Sequence, residues 1–142
     1  MKISEQVYAL DSTKGAYVYL IKDREICLVD TCFPGKGPAI LAELKTTNIR
    51  PVDIKHILIT HYDIDHIGSA AFLERATGAK VWAPKEDIPY ITGELKRPGF
   101  KKIIASIAKI KLPENIQAYG KDQKIGAIQV ILAPGHTPGM FA

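Results

Sequence analysis

Short apolar runs and polar turns alternate along the first part of the chain. "QVYAL", "AYVYLIK" and "EICLVD" are divided by "DSTKG" and "KDRE". Runs rich in β-branched and aromatic residues, bounded by Gly, Asp and Ser, read as strands, and turns this short predict an antiparallel meander. "TCFPGKG" is then a Gly/Pro loop, and Pro38 starts a helix with Ile40, Leu41 and Leu44 on one face. "IKHILIT" has the continuous apolar character of a buried strand. "SAAFLERATG" follows as a helix closed by Gly78, and "AKVWAP" as a short strand. Phe100, Ile103, Ile104, Ile107 and Ile110 fall at helical spacing, with lysines on the opposite face. "AIQVILAPGHTPG" reads as a last strand running into a loop that carries His136. Strands alternating with helices predict an α/β fold.

Composition narrows the class. The chain has 142 residues, 46% hydrophobic and 24% charged, which is the size and balance of one globular domain. No apolar segment of the signal-peptide kind follows "MKISEQVYAL", and no run approaches the ~18 apolar residues of a membrane span. Two cysteines, Cys27 and Cys32, are too few for a disulfide framework and fit a reducing compartment, so a cytoplasmic location is expected. Net charge is +4, but six bases and no acid lie between Lys96 and Lys111, leaving 13 bases against 15 acids elsewhere. That stripe reads as the solvated face of the helix rather than a nucleic-acid groove, since aromatic side chains are not interleaved with it.

The stretch "THYDIDHIGS" changes the picture. It places His61, Asp63, Asp65 and His66 directly after a buried strand and ahead of a helix. A polar turn needs no second histidine, whereas imidazole and carboxylate together are the donors that Zn²⁺, Fe and Mn²⁺ accept. Residues two apart in an extended segment point to one side. His61 and Asp63 are therefore expected to grip one ion, while the bending chain aims Asp65 and His66 at a second. Gly68 is expected to admit the following helix at close range. His136, in "APGHTPG", supplies a donor from another strand-end loop.

"THYDIDHIG" followed far downstream by "PGHTPG" resembles the metallo-β-lactamase fold superfamily, whose loop is usually His-x-His-x-Asp-His. The resemblance covers the meander, the "LVDT" strand end, the metal loop, the connecting helix and the "GHTPG" turn. It implies an αββα sandwich in which His61, Asp63 and His136 hold the first metal and Asp65 and His66 the second. It also implies a metal-dependent hydrolase, in which a metal-bound hydroxide attacks a small ester, thioester or lactone. One or two Zn²⁺ ions are the expected cofactor, with Fe or Mn²⁺ as the alternatives, and Asp65 the expected catalytic residue.

Two departures qualify this. Asp63 stands where the common motif has histidine, and a carboxylate there hardens the site towards Fe or Mn²⁺. It is similar to the flavodiiron branch, which keeps a diiron oxidoreductase as the alternative, although this chain shows no flavodoxin-like partner. The bridging Asp and final His of the family would also fall beyond Ala142. The chain therefore reads as the N-terminal portion of a single domain spanning 1–142, with a catalytically weak metal-binding fragment as the rival from another class. A small-molecule substrate, neither membrane nor nucleic acid as partner, and self-association into a homo-oligomer complete the expectation.

Several residues carry secondary expectations. His56 reads as a packed strand residue, Cys32 as a buried thiol, and Met140 as a non-ligand. Asp30 either caps its turn or buttresses the metal loop. Tyr62 and Ile64 alternate with the ligands and should pack away from them. Trp82 reads as core, although the loop it flanks with Tyr90 is a candidate pocket lining. Thr60 and Thr137 are placed to hydrogen-bond the histidines.

Overall fold

The computed structural model describes residues 1–96, 111–137 and 139–140. Six strands form one sheet in the order β1-β2-β3-β4-β5-β6: Val7–Ala9, Tyr19–Lys22, Ile26–Val29, Ile54–Leu58, Lys80–Ala83 and Ile116–Ala118. The first three pair antiparallel, as the short polar turns require, with Tyr8 opposite Leu20 and Leu20 opposite Leu28. β3 to β6 then run parallel. Parallel neighbours need a crossover. α1 (Gly37–Thr46) lies between β3 and β4 in the chain, and α2 (Ile64–Ile67) and α3 (Ala70–Thr77) lie between β4 and β5.

The apolar stripes of the helices meet one face of this sheet. Ile40 and Leu44 of α1 and Leu73 of α3 pack with Leu20, Leu28, Ile54, Ile57 and Val81, each at most 1% exposed. Leu41, placed on the same stripe by its spacing, is only partly buried against that cluster. α3 ends where Gly78 takes a left-handed φ of 71°, as its position after the periodic run predicts. A smaller cluster of Leu58, Tyr119, Ile125 and Val130 packs with Val29, Trp82 and Ile128. Trp82 stacks on Tyr119 at 6.4 Å there, so the core reading of the tryptophan holds.

Two local expectations need correction. "IQVILAP" does not form one strand: β7 (Lys124–Ile125) and β8 (Ile128–Gln129) make a two-stranded hairpin, and Ile131 and Leu132 are exposed at 58% and 55%. Periodicity reports which residues are apolar, not whether a neighbouring strand is present to pair with them. Gly68 does make a close approach, but to the loop after β3 rather than to the following helix. A Cβ there would collide with the backbone of Phe33 and Pro34. The helix expected around Phe100, Ile103, Ile104, Ile107 and Ile110 lies outside the described residues, as does most of the basic stripe.

His56 on β4 is a packed residue, as expected. The Trp82 indole N–H donates to its Nδ1 at 3.1 Å, so its Nε2 carries the proton and meets Glu25 at 3.0 Å. Burial first, then the nearby Glu25 and Asp23 charges, push the Cys27 thiol up to about 12. Cys32 is 1% exposed. Among the described residues no helix is long and apolar enough to cross a membrane.

Candidate metal centre

Three strand ends converge on one site. β3 delivers Asp30, β4 delivers Thr60 and His61, and β5 leads into the turn that carries Asp87. In open α/β sheets the carboxyl ends of parallel strands are where ligands bind, because the diverging loops leave a crevice there. Asp63 ends the loop as the extended residue before α2, so Ile64, Asp65, His66 and Ile67 wind into one helical turn.

His61, Asp63 and His136 come together. Each offers one donor atom, and these atoms all lie within 4.8 Å of one another. His136 Nε2 is 2.7 Å from Asp63 Oδ2, and His61 Nε2 is 3.5 Å from the same oxygen. The residues join across 73 positions of sequence. Two imidazoles and a carboxylate that converge at this spacing fit a divalent cation. Asp65 and His66 lie beside them. His66 Nε2 is 3.4 Å from Asp65 Oδ2, and the His61 and His66 rings are 4.0 Å apart.

Asp30 decides which nitrogens face this cluster. Its carboxylate accepts the Thr60 backbone N–H at 2.9 Å and the Thr60 hydroxyl at 2.8 Å. Thr60 has a single hydroxyl proton and gives it to the acid, so its oxygen accepts from His61 Nδ1 at 2.9 Å. His61 Nε2 therefore presents a lone pair. Asp30 Oδ2 also accepts from His66 Nδ1 at 2.8 Å, which frees His66 Nε2 in the same way. Burial alone pulls the His66 imidazole down, but the Asp30 hydrogen bond and charge, with Asp65 and Asp63, outweigh it and hold the His66 pKa above its usual value. Asp30 thus buttresses the metal loop, and the expected Thr60–histidine bond is present.

The strand end that holds Asp30 is strained. Asp30 and Cys32 adopt left-handed φ values of 61° and 59°. Such residues cost of order 1 kcal/mol and persist where neighbours over-determine them. Here the Thr31 N–H and hydroxyl both donate to the His66 carbonyl, at 2.7 Å each, so the strained turn is bonded to the ligand helix.

Sequence reasoning missed Asp87. Its side chain is fully buried and accepts three donors: the Tyr62 N–H at 3.0 Å, the Thr137 hydroxyl at 3.0 Å and the Gly139 N–H at 3.1 Å. Burial raises its pKa above the usual carboxylate range, against the lowering by Thr137, Tyr62, Gly139 and the nearby His61. Thr137 therefore serves Asp87, where the sequence suggests a histidine partner. The available signal was an acid placed just after a strand end, in "APKED", but nothing local reveals its partners 25 to 52 residues away. Tyr62 is 4% exposed and stacks on Tyr90 at 4.8 Å, packing away from the ligands as its alternation predicts.

Comparison with known proteins places the chain in a family. A hydroxyacylglutathione hydrolase of Ectopseudomonas mendocina is 29% identical over 140 residues, covering 96% of this chain and 45% of the relative. A probable metallo-hydrolase of Bacillus subtilis is 27% identical, covering 87% of this chain and 54% of the relative. The chain spans about half the length of the curated relatives it matches. Among solved structures, a subclass B3 metallo-beta-lactamase of Bradyrhizobium japonicum superposes with a TM-score of 0.80 at 28% identity, over 99% of this chain and 54% of the other. The pattern of one family, the metallo-beta-lactamase superfamily, runs through residues 13–142. With strands β2 to β6, the loop from His61 to His66 and the His136 turn all inside that match, the chain belongs to the metallo-beta-lactamase superfamily.

Proposed function

We propose that this chain carries the metal-holding part of a hydrolase acting on a small ester, thioester or lactone. The convergence of His61, Asp63 and His136 on two strand-end loops carries this reading. A thioester of the hydroxyacylglutathione kind is the first substrate to try, because that is what several relatives are named for. His61 and His136 would offer Nε2 to the ion and Asp63 a carboxylate oxygen, with Zn²⁺ the preferred occupant of a site with two imidazoles.

A divalent ion held there by His61, Asp63 and His136 would polarise the carbonyl under attack and would lower the pKa of bound water towards about 7. The protein's part is orientation and proton handling. Asp30 and Thr60 keep the His61 and His66 lone pairs turned into the site. In this reading Asp65, partly exposed beside His66, accepts the proton of the attacking water. The proton passes to the departing sulfur or oxygen as the acyl bond breaks, giving an acid and a thiol or alcohol.

Thioester and lactone turnover should be measured on the parent and on Asp65→Asn, with metal content determined in parallel. Loss of turnover by about 100-fold or more in the folded variant is expected for a proton acceptor. Equal rates in the two proteins remove Asp65 from the reaction. A parent that binds metal but hydrolyses none of the panel favours a binding fragment instead.

A further inference from the structure

Asp87 is hydrogen-bonded to residues that are the immediate chain neighbours of His61, Asp63 and His136. Tyr62 lies between His61 and Asp63, and its N–H donates to Asp87 Oδ2 at 3.0 Å. Thr137 follows His136, and its hydroxyl donates to the same oxygen at 3.0 Å. The Gly139 N–H takes the other oxygen at 3.1 Å. We propose that Asp87 is the positioning residue that fixes His136 against His61 and Asp63, and that it thereby sets metal affinity. The second half of this inference rests on the metal-site reading above.

Two further observations point the same way. The loop around His136 is weakly held by anything else. Among the described residues, Ala133 N–H bonds the Met140 carbonyl at 2.8 Å and Gly135 N–H the Thr137 carbonyl at 3.3 Å, so these close the loop on itself. Among the described residues, hydrogen bonds run from it to Asp87 and, through His136, to Asp63. His136 itself is 55% exposed, with its ring edge-on to that of His61 at 5.0 Å. The loop is also pressed against the turn that carries Asp87. A Cβ on Gly139 would stand 2.8 Å from Asp87 Oδ1, 2.9 Å from Pro84 Cβ and 3.0 Å from Glu86 Cβ. No larger residue keeps that approach.

The chemistry of the three partners explains why an acid is used. All three are donors, and a carboxylate is acceptor-only, with room for each. An amide in its place turns an NH₂ group towards at least one N–H donor. Asp87→Asn is close in shape and removes only the match.

The test compares the parent with Asp87→Asn, Thr137→Val and Gly139→Ala. Co²⁺ affinity is read by chelator competition, Co²⁺ geometry by the visible d–d spectrum, and amide exchange at Tyr62 and residue 139 without metal. The expected result is a folded Asp87→Asn whose Co²⁺ dissociation constant rises roughly 10- to 100-fold, with an altered spectrum. Its amide at Gly139 should exchange faster while amides of the central strands keep their protection. Thr137→Val should show a smaller loss in the same direction. Parental affinity and spectrum in a folded Asp87→Asn would overturn the proposal. Should that variant fail to fold, Thr137→Val and Gly139→Ala decide: unchanged Co²⁺ binding in both overturns it, and weakened binding with intact strands supports it. If the parent and His61→Ala alike bind no Co²⁺, the metal reading fails by itself. Metal-free exchange at Gly139 then decides whether Asp87 anchors the loop.

Discussion

At the scale of single residues, charge and proton count determine what each side chain can do. Asp30 has only acceptors, Thr60 has one proton, and from these two facts the orientation of both His61 and His66 follows. Glu43 shows the same logic away from the site. Its two oxygens accept the backbone N–H groups of Asp11 and Ser12, each at 2.8 Å, and so cap the turn before β2 from α1. Partial burial raises its pKa, but the hydrogen bonds it accepts from residues 11 and 12 prevail and the net shift is downward. A depressed folded pKa contributes stability that is present above the unfolded value, about 4.3, and is lost as pH falls through the folded value. Glu43→Gln keeps one acceptor and should lower stability by about 1 kcal/mol at neutral pH. In urea titrations run at neutral pH and in acid, the gap from the parent should shrink as pH falls through the folded value, where the parent's acid becomes protonated too. A gap of the same size at both pH values would show that charge plays no part in this cap.

At the scale of elements, the packing of loops on strand ends decides the geometry. Ser69 donates its hydroxyl to the Phe33 carbonyl at 2.7 Å and accepts the Gly37 N–H at 3.0 Å, drawing the loop after β3 onto the start of α3. Gly68 makes that contact possible, with no room for a Cβ against the Phe33 carbonyl carbon at 2.5 Å. Its φ of −58° is ordinary helix, so backbone conformation does not require glycine. Alanine would gain about 1 kcal/mol of helix propensity here. The clash is with backbone, which cannot rotate aside, and overpacking of this kind costs about 1–3 kcal/mol or more. Gly68→Ala should therefore destabilise the protein by up to about 2 kcal/mol net and loosen Asp65 and His66. Thermal unfolding beside Co²⁺ binding measures both effects. A stabilised variant would mean that the 33–34 loop yields easily.

At the scale of the whole molecule, the candidate centre links parts of the chain far apart in sequence. His61 and Asp63 lie on the loop that directly follows β4, while His136 comes from a loop 73 residues further along the chain. A ligand that binds only the folded state stabilises it by mass action, about 2.7 kcal/mol at a hundred times its Kd. Zn²⁺ at that excess should raise the melting temperature by roughly 8 °C for a domain of this size. His136→Ala should abolish the rise without unfolding the protein, because its side chain is more than half exposed. The same Zn²⁺ shift in that variant would exclude His136 from the site.

By itself the sequence determined the elements whose signal is local. The three-strand meander, α1 and α3 with their buried stripes, the strands β4 and β5, and the placement of His61, Asp63, Asp65 and His66 after a buried strand all follow from periodicity and residue chemistry. The superfamily was legible for the same reason, because two short metal-grade motifs survive in the chain as written. Only the tertiary structure decided what depends on partners distant in sequence. It showed that Thr60 rather than chance fixes the His61 tautomer, that Thr137 serves Asp87, and that Gly68 faces the 33–34 loop. It also cut the expected "IQVILAP" strand down to β8, since an apolar run becomes a strand only where a neighbour offers its hydrogen bonds. Asp87 is the clearest case. A buried carboxylate is specified by its donors, and those donors come from loops 25, 50 and 52 residues away.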